Sequence, residues 1–149
     1  MKTPEKTIYP KKKQKEILSK VKKIMKPFTR KKPVIKILIF GSLVRGKLGK
    51  YPMKKYGSFY SDIDVDILVD KNIKIPSSFK LDYKTNMPHL SRKEVQKGKK
   101  VCYRYSRKQK IEGKFPLIVH IINPKIHDLR LANKYLHLNK KDTLVIFEK

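Results

Sequence analysis

Three aspartates at alternate positions, Asp62, Asp64 and Asp66, open the run from Ser61 to Asp70. Residues two apart on a β-strand share a face. All three carboxylates are therefore expected on one side, with Ile63, Val65 and Ile67 on the other. Carboxylates spaced this way suit a hard divalent cation, Mg²⁺ or Mn²⁺, which prefers oxygen ligands and fills its shell with substrate phosphates. Such ions activate an attacking hydroxyl and neutralise a departing pyrophosphate. The plain alternative is a surface strand with solvated acids, but strands disfavour Asp. Four of the chain's twelve acids lie between Asp62 and Asp70. Like charges that close cost energy unless a cation neutralises them.

A second feature lies upstream. Val34 to Phe40 is β-branched and largely apolar, as in a buried strand, and ends at Gly41-Ser42. Glycine after a strand lets backbone approach a ligand closely. Ser42 then stands where a following helix would begin, with its hydroxyl and the nearby N–H groups directed at a triphosphate. Arg45 and Lys47 are near enough in sequence to reach phosphate oxygens. Gly-Ser alone says little; Gly-Ser closing one strand and Asp-x-Asp opening the next is a joint signal.

That pattern resembles the nucleotidyltransferase superfamily with the DNA polymerase β-like palm. The matching residues are Gly41-Ser42, Ser61 and Asp62-Ile63-Asp64, and Gly41 to Gly46 looks like the Gly-Ser-x-x-Arg-Gly of minimal nucleotidyltransferases. The likeness covers about Val34 to Asp70, with a vaguer echo at Phe115 to Ile122. It implies metal-dependent transfer of a nucleoside monophosphate from an NTP to a hydroxyl, with release of pyrophosphate. Asp62 and Asp64 would be catalytic and hold Mg²⁺ or Mn²⁺; Gly41, Ser42, Arg45 and Lys47 would hold the NTP. Three departures stand against it. The gap from Ser42 to Asp62 is long. Asp64-x-Asp66 fits the motif as well as Asp62-x-Asp64, so Asp66 stays a metal-ligand candidate. Active members add a third carboxylate from a neighbouring apolar strand, and the corresponding strand, Leu117 to Ile122, carries His120.

These residues need a scaffold. Apolar residues at Ile17, Leu18, Val21, Ile24, Met25 and Phe28 give one helical face over Lys11 to Phe28, with lysines on the other. Residues 1–10 read as a loose basic tail. Leu43 to Leu48 reads as a short helix, Tyr51 to Tyr60 as a loop and Asp62 to Val69 as a strand. Residues 71–90 meander. Ser91 to Gly98 has capping-box spacing for a helix. Val101 to Ser106, Phe115 to Ile122 and the Thr143 to Phe147 run read as strands, and Lys125 to Leu138 as helical. The class expected is α+β, a mixed sheet with helices packed on it, in one domain over 1–149. Tyr103 and Tyr105 would share a strand face, either stacking bases or packing a sheet edge. Cys102, His89, His127 and His137 lack metal-ligand spacing.

Charge points to a partner. Thirty-nine Lys and Arg against twelve Asp and Glu give +27. Residues 1–36 hold fourteen basic and two acidic side chains, Arg45 to Lys55 five and none, and residues 84–114 eleven and two. An AT-rich genome also enriches Lys; thermophile enrichment brings Glu with it, and Glu is scarce here. The balance favours a polyanion, nucleic acid first, and RNA over DNA by the family likeness. No apolar run reaches the ~20 residues of a membrane helix, and the first residues carry no apolar leader segment. The expectation is a cytoplasmic protein with no membrane partner. Two alternatives stay beside the transferase reading. One is a catalytically degenerate member that binds nucleic acid, the other an antitoxin-like nucleotidyltransferase acting on a partner protein.

Overall fold

A computed structural model describes residues 5–55, 57–70, 74–82, 104–122 and 143–149. The expected helices at Ser91 to Gly98 and Lys125 to Leu138, together with His89, Cys102, Tyr103, His127 and His137, lie outside the described residues. The scaffold begins with strand β1 (Thr7–Ile8) and helix α1 (Lys11–Met25), which runs into a 3-10 turn at Lys26–Arg30. Seven longer or shorter strands follow in order: β2 (Val34–Phe40), β3 (Gly49–Lys55), β4 (Ser58–Tyr60), β5 (Ile63–Val69), β6 (Lys80–Asp82), β7 (Arg104–Ile111) and β8 (Phe115–Ile122). A last strand, β9 (Thr143–Glu148), completes the set.

Six strands form one sheet in the order β6-β7-β8-β5-β2-β9. Only β5 and β8 run parallel; every other neighbouring pair is antiparallel, so the sheet is mixed. Alternation divides β5 cleanly. Ile63, Val65, Ile67 and Val69 are buried in the main core with Ile37 and Ile39 of β2 and Leu117, Val119 and Ile121 of β8. Helix α1 covers this face with Ile17, Val21 and Met25, spaced by one turn each and fully buried. Each such aliphatic side chain contributes about 1.5–3 kcal/mol of transfer free energy. The opposite face has a smaller apolar cluster of Leu38, Leu68 and Ile122, and it bears the aspartates.

Three expectations on this scaffold are corrected. Tyr51 to Tyr60 is not a loop: β3 and β4 form a hairpin, and β1 pairs with β3, so residues 7–8 of the supposed tail are held in a three-stranded sheet. The lysines are tolerated because this face is solvated, and Pro52 because it falls between Lys50 and Lys55, where the β3–β4 register shifts. Leu43 to Leu48 is a single helical turn, not a helix. Gly46, at φ +70°, stops it: Lys47 N–H donates to Ser42 C=O (2.8 Å) and Gly46 N–H to Leu43 C=O (3.2 Å), the double closure that ends helices on a left-handed glycine. No helix among the described residues is long and apolar enough to cross a membrane.

Candidate active site

Strand β2 delivers Phe40 to the turn, and β5 runs beside it with Asp64 level with Phe40. Gly41 leaves the strand at φ +98°, a conformation closed to other residues without strain. A Cβ placed on Gly41 would lie 3.9 Å from Asp64 Oδ2. The Gly-Ser turn and the aspartate strand therefore meet at one end of the sheet. Ser42 is half-buried there, and Arg45 and Lys47 are exposed on the turn that follows.

The three aspartates differ in setting. Asp62 and Asp64 are half-buried, whereas Asp66 is 1% exposed. Burial pushes the Asp62 carboxyl above its ordinary range, and Lys108 partly counters that. Asp66 lies directly across from His120 in the parallel β5–β8 register, with His120 Nδ1 3.3 Å from Asp66 Oδ1. The residue of β8 level with Asp64 is Ile118, and Lys108 of β7 is next in that row. His120 is thus one step removed from the position that faces Asp64.

This geometry tests the fit of a divalent cation. Among the described residues no three His, Cys, Asp or Glu side chains converge to hold a metal ion. With Asp66 buried against His120, the solvent-reaching donors are Asp62 and Asp64. Two carboxylates fit a hard cation that arrives with substrate phosphates as its remaining ligands, rather than a complete protein cage. A cation beside Asp62 would also relieve the burial that disfavours its ionised form.

Two residues hold this end together: Ser61, which enters the sequence reading only as part of the motif, and Gln14, to which sequence reasoning gives no role. Ser61 is buried. Its hydroxyl accepts from Gly49 N–H (3.0 Å) and from Lys6 Nζ (3.2 Å), and donates to Gly49 C=O (3.2 Å). It ties the small sheet to the residue before Asp62. Gln14 is 6% exposed on α1; its side-chain amide donates to Leu48 C=O (2.8 Å) and Tyr9 C=O (3.1 Å) and accepts from Leu48 N–H (3.1 Å). It clasps the end of the Gly-Ser turn. A glutamine one turn ahead of Ile17, in line with the apolar stripe of a helix otherwise begun by lysines, was the available signal. Tyr105 is half-buried and packs against the main core.

No protein-family model matches this chain, and no curated protein matches it.

Proposed function

We propose that the protein is a metal-dependent nucleotidyltransferase with the fold of that superfamily, moving a nucleoside monophosphate from an NTP to a hydroxyl of nucleic acid, RNA before DNA. The reading rests on one observation: the Gly41 turn abuts Asp64, with the Cβ position of Gly41 3.9 Å from Asp64 Oδ2. A phosphate-gripping turn and an acidic strand serve one reaction only if they share one end of the sheet.

Asp62 and Asp64 would hold the divalent cation, because they reach solvent and Asp66 does not. The bound cation would supply activation of the acceptor hydroxyl and neutralisation of the leaving phosphates. Gly41 and Ser42 present backbone N–H groups and a hydroxyl to the triphosphate, and Arg45 and Lys47 add charge from the exposed turn. The acceptor hydroxyl releases its proton to solvent, its oxygen bonds to the α-phosphorus, the bond from that phosphorus to the β-phosphate oxygen breaks, and pyrophosphate leaves. The Asp66–His120 contact holds β5 and β8 in register behind the reacting pair.

The test is incorporation of label from α-³²P NTPs into RNA in Mg²⁺ or Mn²⁺. Asp62→Asn and Asp64→Asn are each expected to lower the rate by at least about a hundredfold, the scale of losing a group that stabilises transition-state charge. A rate unchanged by both substitutions would refute the assignment. A second reading has its own support. Ile118 occupies the β8 position level with Asp64, and no three metal-ligating groups converge among the described residues. A non-catalytic nucleic-acid-binding member fits that geometry, and it would bind RNA while incorporating no label.

A further inference from the structure

The hairpin β3–β4, with β1 beside it, carries a surface for which the transfer chemistry has no use. Four large hydrophobic side chains are exposed among the described residues, and three are on this small sheet: Ile8 at 50%, Met53 at 58% and Phe59 at 45%. Their clustering on one small element marks a contact surface. Beside them is an open groove of about 470 Å³ lined by Thr7, Lys50, Tyr51, Pro52, Phe59 and Tyr60. The segment Arg45 to Ser61 contains five basic residues and no acid. Lysines lie over its tyrosine rings, and a base that stacks on Tyr51 displaces them onto its own phosphates. Lys6 Nζ and Lys55 Nζ each lie 5.2 Å from the Tyr51 ring centroid, and Lys50 Nζ lies 5.9 Å from that of Tyr60.

We infer that the small sheet is a stacking platform for single-stranded nucleic acid, with bases on Phe59 and Tyr51 and phosphates on Lys6, Lys50, Lys54 and Lys55. Aromatic faces interleaved with lysines match a polynucleotide, which presents π-faces and phosphates in alternation. A duplex hides its base faces and has no use for the rings. An apolar protein partner would leave the lysines facing apolar surface, and burying their charge there is unfavourable. The platform connects to the catalytic strand: Ser61 follows β4 directly, hydrogen-bonds Gly49 of β3 and precedes Asp62. A strand held on the sheet is thereby tethered next to the acidic pair. This inference rests on the nucleic-acid acceptor of the proposed function and not on catalysis.

The experiment is equilibrium binding of the full chain, by fluorescence anisotropy, to a single-stranded RNA of about 12 nucleotides, a span such surfaces cover. The DNA of the same sequence and the blunt RNA duplex are measured beside it. Phe59→Leu and Tyr51→Leu keep apolar bulk but remove the ring. Each is expected to weaken single-strand binding about tenfold, within the range for one lost base stack, and to leave duplex binding unchanged. Phe59→Tyr is expected to restore wild-type affinity. Phe59 is exposed, so the Phe59→Leu protein should melt with the wild type. Loss with RNA alone identifies RNA as the ligand; loss with both strands identifies the shared base and phosphate chemistry. Wild-type affinity in both Leu variants would overturn the platform and leave the nucleic-acid reading standing. Failure of the wild type to bind any nucleic acid at low salt would overturn that reading together with the platform. Polyglutamate competing as well as RNA of equal charge would overturn the platform in favour of an acidic protein ligand.

Discussion

Gln14 shows how a single side chain governs the site without touching it. Its amide satisfies the N–H of Leu48 and the carbonyls of Leu48 and Tyr9. Leu48 C=O also accepts from Tyr9 N–H at 3.0 Å. Replacement by Leu therefore strands two groups above all, Leu48 N–H and Tyr9 C=O. Leaving a buried polar group unsatisfied costs about 1–3 kcal/mol. Gln14→Leu is expected to lose about 2–4 kcal/mol in urea unfolding, although Leu is the better core residue by hydrophobicity. Gln14→Glu keeps the acceptor for Leu48 N–H but sets a buried carboxylate oxygen against the carbonyls of Leu48 and Tyr9, so it should lose at least as much. A Gln14→Leu protein as stable as the wild type would show that the clasp holds nothing. At this scale the sequence was legible where chemistry is local. The alternation that placed Asp64 and Asp66 opposite Ile63, Val65 and Ile67 is the observed division of β5, which begins one residue after Asp62. What spacing did not carry was which aspartate lies deepest. That depends on His120, fifty-four residues away in sequence and level with Asp66 only once β5 and β8 pair.

Elements were legible in proportion to how much apolar surface each buries. Helix α1, β2, β5 and β8 bury a face in the main core and wrote that face into their spacing. The β3–β4 hairpin buries little, exposes Lys50, Lys54 and Lys55 together with Pro52 and Gly57, and so reads as loop. The turn joining β7 to β8 is a further case. Glu112 has φ +55° and Gly113 φ +67°, with Lys114 N–H bonded to Ile111 C=O at 3.0 Å, a two-residue hairpin turn with both central residues left-handed. Such a conformation costs a non-glycine residue about 1–2 kcal/mol. Two lysines of α1 offset it: the Glu112 carboxylate accepts from Lys13 Nζ (2.6 Å) and from Lys20 Nζ. Those hydrogen bonds hold the Glu112 carboxyl down at about 2, from an ordinary 4.5. Because the folded value is depressed, the stabilisation is complete above about pH 4.5 and disappears as the pH falls through about 2. Solvent screening limits such pairs to within about 1 kcal/mol. The stability gap between wild type and Glu112→Gln is expected to stay constant above pH 5 and close by pH 2, measured by denaturant unfolding across that range. A gap that persists unchanged at pH 2 would assign the cost of the substitution to the turn rather than to the helix lysines.

For the molecule as a whole, the mixed sheet was legible and its strand order was not. The order brings β8 beside β5 across more than forty residues and places β9 on the far side of β2, where local spacing has no influence. Charge works at this same scale. Thirty-nine cations cannot pair one to one with twelve carboxylates, so a net +27 repels itself across a body of 149 residues. Screening length falls from about 10 Å at 0.1 M salt to about 3 Å at 1 M. Raising NaCl is therefore expected to raise the melting temperature. The same salt weakens binding to single-stranded RNA, since each phosphate neutralised contributes about −0.7 to the slope of log K against log salt. The two responses have opposite signs because one concerns repulsion within the fold and the other attraction to a polyanion. Lys50→Gln with Lys54→Gln should make the binding slope shallower by about 1.4, two phosphates' worth, while lessening the salt dependence of melting. If melting fell with salt instead, the cations would be acting in stabilising pairs with the carboxylates. The cations in excess of the carboxylates would still meet a polyanion, so the slope for RNA tests the basic surface separately.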